Sequence, residues 1–552
     1  MYNNNKILVI IPAKGSSKDI PRKNARLLGE KPIISYMIEA CKNSQYVDVV
    51  VVSSDDNKIS RITERIGGTV IRPSEELNYD ENLEEIIYST MLKKESLAFD
   101  EYDIVITILP DSPLLKTSTL DKMIERFENQ NIDTVIAVKG DRQLYWIFDD
   151  ESKAYRALYP QRQNLNFLPK TFKETGNFVA SRRQFITPES MIGQNVDLFE
   201  VSDEESVSIK TYADWGIASN YLKKKKIVFV VSVDEFGSDN IFRCLSISSR
   251  IFFHEILFLL EEGKDLLINN LDKYKYPYDV FKGTNDLVDK INEFNPDVVF
   301  NDIGNTSEEY MLKLKEAGHF VVNFRDYGEG YSLADLVFDD LYEHNLGESK
   351  VKVGRDYFIL KDSFFLQNLK IINTEVNQVL LFFEGEDLNN LSERVLNILI
   401  RGGFSKYIHV ILGASYENKQ DFIDKYQIYS NVLIYENSRN LYDLLFKSDI
   451  AIMAAGRAMY EACAMNVPSI ILCQDERETS RIFANYHNGF INLGLVSSLS
   501  DEDILNQFNL LKDDFDKRRE MSNKMKKIDL EYGFNNVWYE IKKAHRKFIF
   551  EN

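Results

Sequence analysis

The chain has 552 residues, with 86 acidic against 67 basic side chains and a formal net charge of -19. That length exceeds what one hydrophobic core supports, so two or three domains are expected. An acidic surface repels a phosphate backbone, which speaks against nucleic acid as a partner. Cys41, Cys244, Cys463 and Cys473 are scattered without a CxxC pair and only six histidines are present, so neither a zinc site nor a disulfide scaffold is expected. The start "MYNNNKILVI" lacks the features of a signal peptide, and no apolar run nears the ~20 residues of a membrane span. A soluble, cytoplasmic protein with no membrane partner is the expectation.

Apolar, β-branched runs alternate with helical patterns from the outset: "KILVIIPA", a helix around "PIISYMIEACK", "VDVVVVSSD", a helix near "ISRITERIG", then "DIVITIL" and "DTVIAV". Such runs belong to a mostly parallel α/β sheet. The rhythm breaks at "YLKKKKIVFVVSV", where Lys223 to Lys226 precede a fresh strand, and a domain boundary is placed there. The alternation restarts with "IVFVVSV", a long helical pattern from Ile241 to about Glu262, "PDVVFND" and "HFVVNF", then a less regular stretch to about Asn373. A further unit runs from "QVLLFFEG" through "YIHVILG", "NVLIYE", "SDIAIMAAG" and "VPSIILC". The expected fold class is α/β in three parts, 1–225, 226–375 and 376–552. The last two form lobes facing across a cleft, the usual place for a ligand.

The first strand runs into "IPAKGSSKDIPRKN", which gathers Lys14, Lys18, Arg22 and Lys23 in one loop of an acidic chain. Loops at the carboxyl ends of parallel strands bind ligands. Small residues such as Gly15 and Ser17 let backbone N–H groups approach phosphate oxygens, while ammonium groups offset triphosphate charge. By composition alone a wet basic loop stands equally open, since no GxxxxGK[ST] motif is present. The order of residues decides more. With "LLGEKPIISYMIEA", "VVVSSDD", "VIRPSEEL" and "DSPLL", the chain from Lys6 to Leu222 resembles the acylneuraminate cytidylyltransferases, or CMP-sialic acid synthetases.

That resemblance implies a Rossmann-like nucleotidyltransferase domain in which the anomeric hydroxyl of a sialic-acid-like (nonulosonic) acid attacks the α-phosphorus of CTP and releases pyrophosphate. It implies Lys14, Gly15, Ser17, Lys18, Arg22, Lys23, Asn24 and Ser112 as nucleotide contacts, with Lys18 and Lys23 the catalytic candidates. It also implies Mg2+, held by two aspartates near the end of the domain. Here "ESVSIKTYADW" puts Ser208 and Lys210 in their places. Neither replaces a carboxylate as a ligand, so metal binding is expected to weaken unless the Lys210 ammonium supplies the charge itself. Leu109 and Leu115 likewise stand where the family has Gln and Arg. A homodimer is a further implication of the family.

In "SDIAIMAAGRAMYEACAMNVPSIILCQ" a strand ends at Gly456, a helix carries Glu461 and a second strand follows Pro468. Such a turn favours a pyrophosphate, and a carboxylate one helical turn on can accept ribose hydroxyls. With "FFEGEDLNNLSERVL" and "ERETSRIFANYHNGFINLGL", the segment Ile227 to Leu511 resembles the UDP-sugar hydrolases of pseudaminic acid synthesis and their spore-coat polysaccharide relatives, a glycosyltransferase-B kind of architecture. The resemblance implies a UDP-sugar in the cleft, with Arg243, Asn390, Gly456, Glu461 and Gln474 as contacts. Asn240 occupies the position of the water-activating His, and an amide cannot act as a general base near neutral pH. Asp239 and Asn240 also suit a helix N-cap. His319, His344, His409 and His487 lie elsewhere without a partner pattern.

The expectation is thus a cytidylyltransferase fused to a UDP-sugar-hydrolase-like module of bacterial surface-glycan synthesis. A nucleotide-sugar-binding protein without catalysis, favoured by Ser208, Lys210 and Asn240, and a glycosyltransferase using the C-terminal lobes are the alternatives. One scaffold hosts many reactions, so the sites must decide.

Overall fold

Every residue of the strand Ile7–Pro12 is buried, the mark of a strand covered by helices on both faces. It opens a computed structural model that describes residues 2–17, 19–73, 83–232, 239–263, 265–343, 349–364, 370–385, 387, 389–413, 415–436 and 441–551. Lys18, His344, the loop 233–238, the side chain of Asp239 and most of "PSEEL", all singled out above, lie outside the described residues. The chain divides into two units, Met1–Lys224 and Lys225–Asn552, with the division inside the lysine run.

In the first unit, β1 (Ile7–Pro12), β2 (Val49–Ser53), β3 (Thr69–Ile71), β4 (Ile104–Thr107), β5 (Thr134–Gly140), β6 (Phe172–Arg182) and β7 (Val196–Glu200) form one sheet. Its order is β7-β5-β6-β4-β1-β2-β3. β1 runs parallel to both β2 and β4, while β6 is antiparallel to β4 and β5. The order therefore reverses between β1 and β4, and the loops leaving their carboxyl ends share a crevice. A separate hairpin, Trp146–Asp149 paired with Ala154–Ala157, stands apart from the sheet.

The second unit holds two parallel sheets. The first lobe contains β8 (Lys226–Val231), β9 (Glu255–Glu261), β10 (Tyr278–Phe281), β11 (Val298–Asp302), β12 (Val321–Phe324), β13 (Leu336–Asp339) and β14 (Val351–Val353), in the order β10-β9-β8-β11-β12-β13-β14. The second contains β15 (Gln378–Phe382), β16 (Tyr407–Leu412), β17 (Val432–Glu436), β18 (Ile450–Met453), β19 (Ser469–Cys473) and β20 (Phe490–Leu495), in the order β17-β16-β15-β18-β19-β20. Both orders are doubly wound, reversing beside the first strand of the lobe, between β8 and β11 and between β15 and β18. The two α/β lobes expected from the sequence are present.

Two features depart from the expectation. The helical pattern from Ile241 to Glu262 is a helix, Asp239–Ser248, followed by β9. The apolar run "EILFLLE" is short enough for either state, and pairing with β8 and β10 makes it a strand. The last helix, Gly533–Glu551, follows the second lobe in sequence, yet its Phe534, Val537 and Ile541 complete the core of the first with Phe229, Phe258 and Phe300. Gly533 lets the returning chain pass the Phe358 carbonyl, which a Cβ would strike. Among the described residues, no helix is long and apolar enough to cross a membrane.

Candidate functional site

The loop after β1 crosses the carboxyl edge of the first sheet. Its path is fixed by Gly15, whose N–H donates to Asp55 Oδ1 at 3.0 Å and where a Cβ would press on the Asp56 side chain. Asp56 in turn caps the helix Asn57–Arg65 through the N–H groups of Lys58 and Ile59. Asn24 is buried, and its Nδ2 donates to the Lys14 carbonyl at 3.0 Å, tying the two ends of the loop together. Lys14 and Ser17 are half-buried and Arg22 is exposed, with Arg22 in the left-handed region at φ 55°.

Lys23 does something the sequence did not indicate. Its Nζ lies 3.2 Å from Asp111 Oδ2 and donates to the Ile209 carbonyl at 2.8 Å, while the Ile209 N–H donates to the Asp111 carbonyl at 2.8 Å. Ser208 and Lys210 flank Ile209, so the segment where two aspartates were expected is stitched to a different carboxylate. Asp111 follows β4, across the order reversal from the basic loop. Around this junction Asn24 Oδ1, Asp111 Oδ1 and Ser112 Oγ are buried with no hydrogen-bond partner. Leaving three such atoms unsatisfied costs about 1–3 kcal/mol each, which the site recovers when a polar ligand meets them. Asp111 is the candidate site residue that sequence reasoning missed; its signal was a carboxylate in "LPDSPLL" at the carboxyl end of a parallel strand.

For Mg2+ the donor set is thin. Among the described residues, no group of three or more His, Cys, Asp or Glu is placed to hold a metal ion. One carboxylate oxygen, Asp111 Oδ1, is unengaged, which fits a cation held mainly by nucleotide phosphates and only once or twice by protein, as Mg2+ commonly is.

In the second unit the carboxyl edges of the two lobes meet. Arg243 is buried; Nε and Nη2 donate to Asp302 Oδ2 and Oδ1 at 2.8 and 2.6 Å, and Asp340 lies 3.8 Å away. Asn240 lies inside the helix Asp239–Ser248 and accepts from Arg243 Nη2 at 3.1 Å, while its Nδ2 donates to the Ser232 carbonyl. Arg243 and Asn240 are thus bonded to each other and to the first lobe. Asp340 also takes Arg325 Nε at 2.6 Å and, from the second lobe, Arg457 Nη1 at 3.4 Å. Lys361 pairs with the buried Glu461 at 3.1 Å, and Tyr460 stacks between Phe358 and Phe483.

Gly456 and Gln474 come together at the order reversal of the second lobe, while Asn390 lies on the loop beside them. Gln474 Nε2 donates to the Phe383 carbonyl at 3.3 Å, its Oε1 is buried without a partner, and its carbonyl accepts from Asn389 at 2.8 Å. Asn390 is exposed and joins Tyr416 and Glu393. Arg481 Nη1 donates to the Ala455 carbonyl at 3.0 Å and pairs with Glu478, whose carboxyl burial pushes upward.

A parallel sheet with a basic, glycine-bearing loop at its switch point is suited to hold the phosphates of a nucleotide. Residues 8–192 match the family described as Cytidylyltransferase, so the N-terminal unit carries a domain of that family of enzymes. Two curated relatives are similar to part of the chain. One is CMP-N,N'-diacetyllegionaminic acid synthase of Legionella pneumophila, 27% identical over 40% of this chain and 97% of that protein. The other is N-acylneuraminate cytidylyltransferase A of Danio rerio, 26% identical over 38% of this chain. The chain spans only 50% of the length of the latter. Over 58% of this chain and 98% of its own, a glycosyltransferase structure from Rickettsia africae is 14% identical with a TM-score of 0.40.

Proposed function

We propose that the N-terminal unit joins CTP to a nonulosonic acid, giving the CMP-sugar and pyrophosphate. The relatives named for legionaminic and acylneuraminic acids support the substrate class. The observation that carries the reading is the trio of unsatisfied acceptors, Asn24 Oδ1, Asp111 Oδ1 and Ser112 Oγ, at the switch point beside the basic loop. In the proposed step the anomeric oxygen forms a bond to the α-phosphorus, the bond from that phosphorus to the bridging oxygen breaks, pyrophosphate leaves and the hydroxyl proton is released. Positioning and charge stabilisation dominate such a transfer. Lys14 and Lys18 offset phosphate charge, and Lys23 holds Asp111 in place. A bound Mg2+ supplies further charge neutralisation, and Asp111 is the residue that would hold it.

The test is pyrophosphate release from CTP with a panel of nonulosonic acids, with and without Mg2+, for wild type and Asp111→Asn. Metal-dependent turnover, lowered at least about a hundredfold in the variant, is expected. Turnover insensitive to both EDTA and the variant assigns the charge to Lys210 and removes Asp111 from the site. Absence of turnover over the whole panel removes the cytidylyltransferase reading for those acids.

We propose further that the second unit binds a UDP-sugar in its cleft without His-type hydrolysis, since Asn240 is an amide bonded within the first lobe. Release of UDP from a UDP-amino sugar in water argues for the hydrolase, and release only with an added acceptor argues for a glycosyltransferase. A role in bacterial surface-glycan synthesis and pairing of two chains through the exposed hairpin belong to the same proposal.

A further inference from the structure

The place where the second lobe is read to receive a diphosphate already holds an anion, the chain's own Glu384. Glu384 follows β15 and Gly456 follows β18, neighbouring strands on either side of the order reversal, so both border the same crevice. Glu384 Oε1 accepts the Ala458 N–H at 3.2 Å and lies so close over Gly456 that a Cβ there would collide with it. Nearby stands the half-buried Arg481, whose charge Tyr342, Glu478 and, to a smaller extent, Glu384 favour and whose Nε has no partner.

The backbone of Glu384 is also out of the ordinary. Its φ is 65°, the left-handed region that glycine takes freely and a glutamate takes only under constraint. The constraint is visible: a Cβ on Gly413 would collide with the carbonyls of Glu384 and Gly385, so two chains cross here with no room to relax. A solvated loop glutamate would need neither the strained φ nor the glycine beneath its carboxylate. Two carboxylates, Glu384 and Glu478, flank one arginine, so a diphosphate added to this group meets net repulsion unless one carboxylate leaves.

We infer that Glu384 is an internal stand-in for the ligand's diphosphate: its carboxylate occupies the turn at Gly456 and rotates out when a nucleoside diphosphate binds, lowering that ligand's affinity. This rests on the reading of the second lobe as a nucleotide-sugar-binding lobe. The side chain, and not the backbone, is the part that moves, because Gly413 pins the latter.

Calorimetric titration of the full chain with UDP and with uridine, with and without Mg2+, tests it in wild type, Glu384→Gln and Glu384→Gly. The glutamine keeps the shape and removes the charge; the glycine also relieves the φ. Both variants are expected to bind UDP about tenfold more tightly, or more, with uridine unchanged. Equal UDP affinity in wild type and both variants overturns the inference. So does an affinity that Mg2+ raises in wild type but not in Glu384→Gln, since the carboxylate is then a cation ligand. Failure of every form to bind UDP or uridine overturns the underlying reading of the lobe and the inference with it.

Discussion

Asp340 sits among three guanidinium groups, two from the first lobe and one from the second. It is 2% exposed, and burial alone would push its carboxyl upward; Arg325, Arg243 and Arg457 outweigh that and hold it at about 2. A folded pKa below the ordinary 3.8 stabilises the fold above pH ~4, and that stabilisation is lost as pH falls through about 2. Asp340→Asn leaves the arginines facing one another and is expected to cost about 3–5 kcal/mol near neutral pH. Urea denaturation at pH 6 and pH 3 checks it: the gap between wild type and variant should narrow at the lower pH, and a constant gap would mean that Asp340 acts by packing alone. Nothing in the sequence marked this aspartate, because its partners Arg243, Arg325 and Arg457 are dispersed along the chain and meet only where strand ends converge. Asp111 and Glu384 were hidden for the same reason. The loop and turn positions of Gly15, Asn24, Gly456 and Gln474 could be read from the sequence, since each stands in a local motif set by neighbouring residues.

At the scale of elements, the strands announced themselves. "KILVIIP", "DIVITIL" and "SDIAIM" are apolar at successive positions, which only a strand covered on both faces requires. β9 did not, because its seven residues follow a helix closely and an apolar run of that length fits both periods. The C-terminal helix shows a sharper limit: its apolar stripe is readable, but not which sheet it covers. Ile541 is buried in the core of the first lobe with Ile227 and Val298. Ile541→Ala is expected to destabilise by about 2–5 kcal/mol. Hydrogen exchange should then quicken in β8 and β11; quickening confined to β15 and β18 would place the helix with the other lobe.

At the scale of the whole molecule, the hairpin of the first unit exposes Trp146 at 56% and Tyr155 at 73%, with Ile147 and Phe148 also outside any core. An isolated two-stranded hairpin is marginal in water, and apolar side chains on both its faces ask for a cover. A second copy of the chain is the proposed cover. Light scattering should give twice the chain mass for wild type and the chain mass for Trp146→Lys combined with Tyr155→Lys; a monomeric wild type would remove the proposal. By itself the sequence determined the α/β class and the family of the first domain, because these follow from apolar runs and local motifs a few residues long. The tertiary structure alone decided that Asp111 joins the segment of Ser208 and Lys210, that Glu384 lies over Gly456 and that the last helix returns to the first lobe. Those contacts join residues about 70 to 310 apart, and their partners are chosen by strand order, which no local pattern encodes.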